Sequence, residues 1–333
     1  QGNLQAARKQ AQQLLMQAEQ TRDNIQRVAA HYAKGATSFV SGMLYAAHSH
    51  LERSLDELST DEQRVYLQQY GADPGVLSRI YLALTQCFMG YSHRALQTIK
   101  EARLLADQAA HPFTISFALV GTFGIHQLLR EPAPTLHYAE QTIVYCHAHG
   151  ILQWPHWARQ ARGWALAMSG SITEGIEETE QGFRTWQAIG SALFGARLRT
   201  VLADLCLQAG HLQRAEALIG EALNVVEQTG ERLYEAELYR LKGEVLWQRA
   251  TDGQIEPAKG EIEDCFLHAI AIAQEQQARL WELRATISLG KLWIEQGRQQ
   301  EAQHQLAEIL NWFTEGFETA DLQEANRLLE DLQ

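Results

Sequence analysis

Short glycine-type turns recur along this chain at intervals of forty residues, each standing between two stretches of helix-period hydrophobicity. A recurrence of that length does not describe one globular core. It requires the same two-helix unit to be built again and again and stacked. The turns fall at Gly2, Gly42, Gly90, Gly170, Gly210 and Gly297. Gly2 to Gly42 and Gly170 to Gly210 are 40 apart, and Gly90 to Gly170 is twice that, which places an unmarked turn at Arg130, before Glu131 and Pro132. Forty beyond Gly210 is Ala250, where Thr251, Asp252 and Gly253 follow. The irregular gaps of 48 (Gly42 to Gly90) and 47 (Ala250 to Gly297) imply loop insertions around 59–74 and 251–260.

Side-chain size repeats in the same register. Small residues stand seven before the turn, five after it and twelve after it, where two helix backbones approach too closely for a larger substituent. Around Gly42 they are Gly35, Ala47 and Ser54; around Gly90, Ala83, Ala95 and Ala102. Around Gly170 they are Gly163, Gly175 and Gly182; around Gly210, Ala203, Ala215 and Ala222. The Gly297 unit keeps Gly290 and Ala302 but has Ile309, and the Ala250 unit keeps Gly243 and Ala269. The Arg130 unit departs most, with Phe123, Thr135 and Thr142. This register resembles that of tetratricopeptide repeats. It implies an all-α, right-handed superhelical solenoid of such hairpins, because one hairpin cannot bury its apolar stripe alone.

The period divides 1–333 into a single array: a half repeat over 1–20, then hairpins over 24–57, 76–109, 113–149, 154–189, 193–229, 233–277 and 280–313. A capping helix over 319–332 closes it, expected to turn Asp321, Glu324, Glu330 and Asp331 outward. At the other end Ala7 and Leu14 stand five and twelve after Gly2, in second-helix register with no first helix before them. The chain therefore reads as a fragment of a longer protein.

Composition narrows the partners. Six prolines, separated by long proline-free stretches, suit a mostly helical chain. Residues 1–166 hold 14 basic and 12 acidic groups, whereas residues 167–333 hold 14 and 28, within a total net charge of −12. Such an acidic half repels a phosphate backbone, so no nucleic-acid partner is expected. The longest apolar run, 115–125, is broken by Ser116, Gly121, Thr122 and Gly124 and is too short to cross a bilayer. No membrane association is expected, and a cytoplasmic location is. Cys87, Cys146, Cys206 and Cys265 are widely spaced with no CxxC pair, which reads as buried free thiols.

Five stretches carry a wider resemblance: 31–35 (HYAKG), 70–76 (YGADPGV), 162–167 (RGWALA), 234–244 (YEAELYRLKGE) and 312–322 (WFTEGFETADL). Together they resemble the tetratricopeptide C-terminal region of large bacterial STAND-type signalling ATPases. In that family the repeats follow a P-loop ATPase module, often with a class III adenylyl/guanylyl cyclase or a DNA-binding domain in front. The resemblance implies a sensor or scaffold segment of a switch. It carries no catalytic residue onto this chain, because the family's catalytic motifs lie upstream of the repeats.

The chain's own residues agree that chemistry is not its task. No GxxxxGK[ST], HExxH or GxSxG motif is present, and no cofactor is implied. Cys146 and His149 have metal-ligand spacing, but both stand beside the Gly150 turn, where a histidine serves the helix C-terminus, and no second ligand pair exists. The acidic runs 174–180 and 261–264 could dock a basic partner, though a solvated helix face explains them better. What remains is the inner groove, lined by positions six and three before, and one after, the small packing residue of each first helix. From Gly163 these are Trp157, Gln160 and Trp164; from Ala203, Arg197, Thr200 and Asp204. From Gly243 they are Glu237, Arg240 and Glu244; from Gly290, Arg284, Ile287 and Lys291. Gly35 gives Ala29, Tyr32 and Ala36, and Ala83 gives Leu77, Ile80 and Leu84, so the groove is apolar first and charged later. Its arginines suit carboxylate or phosphate recognition. Equally, Arg197 with Asp204, and Arg240 with Glu244, could pair along their own helices. The expected partner is a protein or peptide held in the groove, alongside ATPase or cyclase domains of the same polypeptide. A small-molecule inducer in the groove is the alternative, and self-association a third.

Overall fold

The computed structural model describes residues 4–21, 23–190, 193–257 and 260–332. It is 82% helical, and no strand occurs among the described residues. In chain order the helices are α1 (Leu4–Thr21), α2 (Asn24–Val40), α3 (Leu44–Asp56), α4 (Thr60–Tyr70), α5 (Pro74–Phe88), α6 (Ser92–Ala109), α7 (Pro112–Leu128) and α8 (Pro132–Ala148). They continue with α9 (Pro155–Met168), α10 (Ile172–Ala188), α11 (Gly195–Gln208), α12 (Leu212–Thr229), α13 (Glu235–Thr251), α14 (Glu261–Gln276), α15 (Arg279–Glu295), α16 (Gln299–Leu310) and α17 (Ala320–Glu330).

Proline and left-handed backbone set where these helices begin and end. Pro74, Pro112, Pro132 and Pro155 each open a helix, where the missing N–H costs nothing and the fixed φ is already helical. Between the two helices of each hairpin stands a left-handed residue: Gly42 (φ 75°), Gly90 (92°), Arg130 (60°), Gly170 (104°), Gly210 (74°), Gly253 (68°) and Gly297 (78°). The residue after it donates back to a carbonyl of the last helical turn. Examples are Met43 to Ser38 (2.9 Å), Glu131 to His126 (2.9 Å) and His211 to Cys206 (2.8 Å). That bond satisfies a carbonyl the helix end would otherwise leave open. Arg130 adopts the conformation without glycine, at the place counted from Gly90 and Gly170.

Close approach of the helix pair is plainest in the α9–α10 hairpin. A Cβ on Gly175 would lie 2.5 Å from the Gly163 carbonyl oxygen, and one on Gly182 would lie 2.6 Å from that of His156. Backbone meets backbone there, so glycine is required by space.

Several expectations change. The insertion at 59–74 is a helix, α4, rather than a loop. Tyr66 is buried against Val28 and Ala29, and its ring centroid lies 4.4 Å from that of Tyr70, one turn on. The turn placed at Ala250 falls at Gly253, because nothing from Arg249 to Thr251 stops α13 and the first left-handed position is three residues later. In α1 the buried residues are Leu4, Ala11, Leu15 and Ala18, so the small positions are Ala11 and Ala18, four on from Ala7 and Leu14. The Gly2 turn itself lies outside the described residues. On α17, Asp321 is buried rather than outward, and Glu324 is only partly exposed, because Arg284 and Lys291 of α15 bond them. Glu330 and Asp331 do face solvent.

The chain forms two compact units. The first comprises Gln1–Cys87 and His93–Leu193; the second comprises Phe88–Ser92 and Phe194–Gln333. Inside the first, α8 packs on α9, and α7 also touches α9, around a core of Val120, Phe123, Ala139, Ala158 and Ala161. Inside the second, α12 packs on α13 and α14 on α15, while the first helices form their own row through α11–α13, α13–α15 and α15–α17 contacts. Its core gathers Phe266, Ala269, Leu289, Trp293 and Ala302 in one cluster, and Leu283, Leu306, Ile309, Phe313 and Leu322 in another. All four cysteines are free and buried. No described helix is long and apolar enough to cross a membrane.

Candidate functional site

In the second unit, the row of first helices brings the charged positions together. Positions i, i+3 and i+7 share one helix face, which aligns Glu237, Arg240 and Glu244 along α13. Arg240 grips Glu237 with two parallel hydrogen bonds, Nε to Oε2 at 2.8 Å and Nη2 to Oε1 at 2.7 Å. Its Nη1 reaches Glu244 at 3.2 Å, so the pairing along its own helix is real. The network then crosses to α15, where the Ser288 hydroxyl donates to Glu244 at 2.6 Å. On the α11 side, Asp204 accepts from Gln208 at 3.1 Å. Burial raises the pKa of Asp204, with Glu237 adding to the effect and Arg240 opposing it. Burial works against the charge of Arg240 too, but Glu237, Glu244 and Asp204 outweigh it and raise its pKa. Arg197 hydrogen-bonds the buried Tyr234, whose pKa burial raises. Arg284 clamps Asp321 at 2.9 and 3.0 Å and lies over the Trp281 ring, 5.0 Å from its centroid. Lys291, the most exposed of the set, bonds Glu324 at 2.7 Å.

Arg240, Arg284 and Lys291 are therefore already answered by carboxylates of the protein, and Arg197 by a phenol. Ion pairs of this kind, the bidentate Arg240–Glu237 within α13 and Arg284–Asp321 between α15 and α17, hold the helix face in place and present little unspent charge to a ligand. Thr200 is buried, its hydroxyl turned back to the Ala196 carbonyl at 2.8 Å, and it supports this face from beneath.

In the first unit the first helices carry aromatic rings instead. Tyr81 of α5 stands edge-on to Tyr32 of α2 (5.9 Å) and contacts Phe117 of α7 (6.1 Å), and Phe117 stacks on Trp154 at 4.9 Å and 21°. Phe113 joins Phe117 and Trp154 at 6.3 and 5.6 Å. All five rings are half-buried, as is Trp157 beside them. Gln160 and Trp164 sit deeper, at 0% and 6% exposure, because α9 lies so close to α10 that this face is closed over. The counting rule had reached Tyr32. Applied from Phe123 it returns Phe117 as well, a signal hidden because Phe123 is not small. Tyr81 and Trp154 lie off the count, and Asp321 and Ser288 are not legible in the sequence as partners of Arg284 and Glu244.

Among the described residues, no group of three or more His, Cys, Asp or Glu side chains could hold a metal ion. His149 Nδ1 donates to the Tyr145 carbonyl (2.9 Å) and its ring stacks on that of Tyr145, while Cys146 is buried with its thiol pKa pushed up to about 11 by desolvation.

No protein-family profile matches the chain, and none of the curated proteins does. Solved structures do resemble it. The apo form of RapI aligns over 91% of this chain and 99% of its own, at 10% identity and a TM-score of 0.53. Aspartyl phosphate phosphatase F from Bacillus subtilis aligns over 89% of this chain and 73% of its own, at 9% identity and a TM-score of 0.54. A STAND protein with a tetratricopeptide repeat sensor from Pyrococcus horikoshii covers 100% of this chain with 49% of its own, at 12% identity and a TM-score of 0.48. At these identities the likeness to the first two speaks to fold alone, and it agrees with the helix order: the chain is an all-α helical-repeat solenoid.

Proposed function

We propose that this chain is an interaction module that takes a peptide or protein partner on the first-helix face of its N-terminal unit. The observation that carries the reading is the row Tyr32, Tyr81, Phe117 and Trp154, half-buried rings contributed by four successive hairpins. Aromatic side chains give large contact area for little loss of conformational freedom, which is why they anchor interfaces. An extended peptide presenting apolar side chains fits such a row. Trp157 belongs to the same surface, and Gln160, Trp164 and Thr200 act as its and its neighbour's support. Arg197, Asp204, Glu237, Arg240, Glu244, Arg284 and Lys291 form the polar face of the second unit, where Lys291 is the side chain most open to a partner.

The resemblance of 234–244 and 312–322 to STAND-type regulators supports a place for this module as sensor or scaffold beside an ATPase or cyclase in a bacterial cytoplasm. Catalysis belongs to those domains and not to this chain. Coupling then requires a partner that prefers one of two arrangements of the helical array.

Panning a random peptide library on the 333-residue chain tests the aromatic face. Enriched sequences should carry apolar or aromatic residues, and Phe117→Ser with Tyr81→Ser should abolish their retention while circular dichroism stays helical. Retention unchanged by that pair sinks the assignment. A gene encoding a P-loop module ahead of Gln1 is the corresponding test of the regulator context.

A further inference from the structure

A cleft of about 410 Å³ opens in the first unit where α1, α2 and α3 meet. Its walls carry Arg8 and Lys9 from α1, Lys34 from α2 and His50 from α3, with Gln12 and Ser38 between them. No carboxylate lines it. The wider setting makes that unusual. The chain carries 40 acidic groups against 28 basic ones, and its arginines are characteristically answered by them. Arg27 bonds Glu57, Arg162 bonds Glu178, Arg199 bonds Glu221, and Arg298 bonds both Glu263 and Glu301. Arg8, Lys9 and Lys34 have no carboxylate partner among the described residues; Lys34 donates only to the neutral Gln12 side chain.

Local sequence explains the imbalance. Helix α2 contains no acidic residue, and α1 contains only Glu19. The Glu52 of α3 is engaged by His48 at 3.1 Å, and Glu57, just past its end, by Arg27. His50 is held in place by a 3.0 Å hydrogen bond between its Nδ1 and that of the buried His31. Desolvation, with Lys34 and His31 adding to it, pushes the His50 pKa down to about 4, so at neutral pH the ring is uncharged. The positive charge of the cleft is that of Arg8, Lys9 and Lys34.

We propose that this cleft is an anion site for a small phosphate-bearing molecule, whose phosphate oxygens Arg8, Lys9 and Lys34 hold. Three convergent cations with neutral hydrogen-bonding neighbours match a multiply charged oxyanion. The volume lies within the range of small-ligand sites, which suits a phosphate and a modest organic carrier. The site is separate from the aromatic row and stands or falls independently of the peptide reading.

Calorimetric titration of the 333-residue chain with inorganic pyrophosphate, at constant ionic strength set by chloride, tests it. Saturable one-site binding is expected, weakened at least tenfold in Lys34→Gln and in the Arg8→Gln/Lys9→Gln pair, and unchanged in Arg184→Gln on α10. The first three positions are partly or fully exposed, and unchanged melting temperatures would show that the variants fold. Sugar phosphate and inorganic phosphate arms distinguish the source: tighter binding of the sugar phosphate assigns the organic carrier, and equal binding assigns the phosphate alone. Heat reproduced by acetate, binding unaffected by Lys34→Gln, or a chain that ignores pyrophosphate yet binds a phosphorylated peptide overturns the proposal.

Discussion

Single atoms decide the α9–α10 hairpin. Seating a methyl group on Gly163 would bring it 2.6 Å from the Gly175 carbonyl oxygen and 2.7 Å from the Thr179 nitrogen, both backbone atoms with nowhere to go. Gly163→Ala should therefore cost about 1–3 kcal/mol, the usual penalty for overpacking. Gly220 of α12 is the control: it is exposed and a Cβ there meets nothing within 4 Å. Gly220→Ala should raise stability by about 0.5–1 kcal/mol through helix propensity alone. Urea midpoints of the two variants should move in opposite directions, and a shift of the same sign would refute the register. This part of the fold was legible, because a small-residue pattern repeated in unit after unit records backbone contact directly. A lone buried histidine left no such mark. His156 is 3% exposed, neither ring nitrogen has a partner, and burial lowers its pKa to about 4. In the unfolded chain it titrates near 6.5. Between those values the unfolded state binds the proton and the native state does not, so stability falls as pH drops from about 6.5 toward 4. His31 and His50 are shifted in the same direction. His156→Phe should flatten, without abolishing, the slope of the urea midpoint against pH in that window. A slope identical to the parent's would show that His156 is protonated in the native state.

At the scale of the helix, starts and stops divide by how local their causes are. Five of the seven hairpin turns follow from glycine spacing and Arg130 from the gap it has to fill, since a left-handed residue must stand there whatever its side chain, while the seventh falls at Gly253, three residues past the Ala250 that the period gives. Helix α4 was not read: its anchoring Tyr66 packs against α2, a contact that forty-residue periodicity does not encode. Nor does local sequence reveal what caps α11. The residue before it, Phe194, is itself left-handed (φ 64°) and offers no capping side chain. The cap comes from Glu231, in the turn after α12, whose carboxylate accepts from the Phe194 and Ala196 N–H groups at 2.8 and 3.4 Å. Burial raises the pKa of Glu231, and those backbone bonds oppose the rise. A carboxylate at a helix N-terminus also meets the favourable end of the helix dipole. Glu231→Ala would leave buried N–H groups without acceptors, at about 1–3 kcal/mol, while Glu231→Gln keeps an acceptor and should lose less. Hydrogen exchange would show the first turn of α11 losing protection in the alanine variant. Protection unchanged there would mean that water replaces the cap at no cost.

Over the whole chain, charge is the feature that structure most reinterprets. An excess of acid in residues 167–333 suggested, as one reading, a docking face for a basic partner. Much of that acid is occupied: Glu178 bonds Arg162, Glu180 bonds Arg184, and Glu263 holds both Arg298 and the Trp293 indole. Glu237 and Glu244 of α13 are likewise bonded to Arg240, and the cap's Asp321 and Glu324 to Arg284 and Lys291 of α15. Sequence spacing placed these residues on one face, but it could not say that facing helices supply each other's counter-ions, because pairing across hairpins depends on how adjacent repeats are rotated. The consequence concerns how a partner binds. If the aromatic row of the first unit is the anchor, binding removes apolar area from water and should carry a negative heat-capacity change. It should weaken less than threefold when salt is raised from 0.15 to 0.5 M, since screening acts on exposed charges and not on buried rings. Calorimetry of a library-derived peptide at three temperatures and both salt concentrations measures the two quantities together. A tenfold or greater loss with salt, or a heat-capacity change near zero, would transfer the binding surface to the acidic helices and remove Tyr32, Tyr81, Phe117 and Trp154 from it.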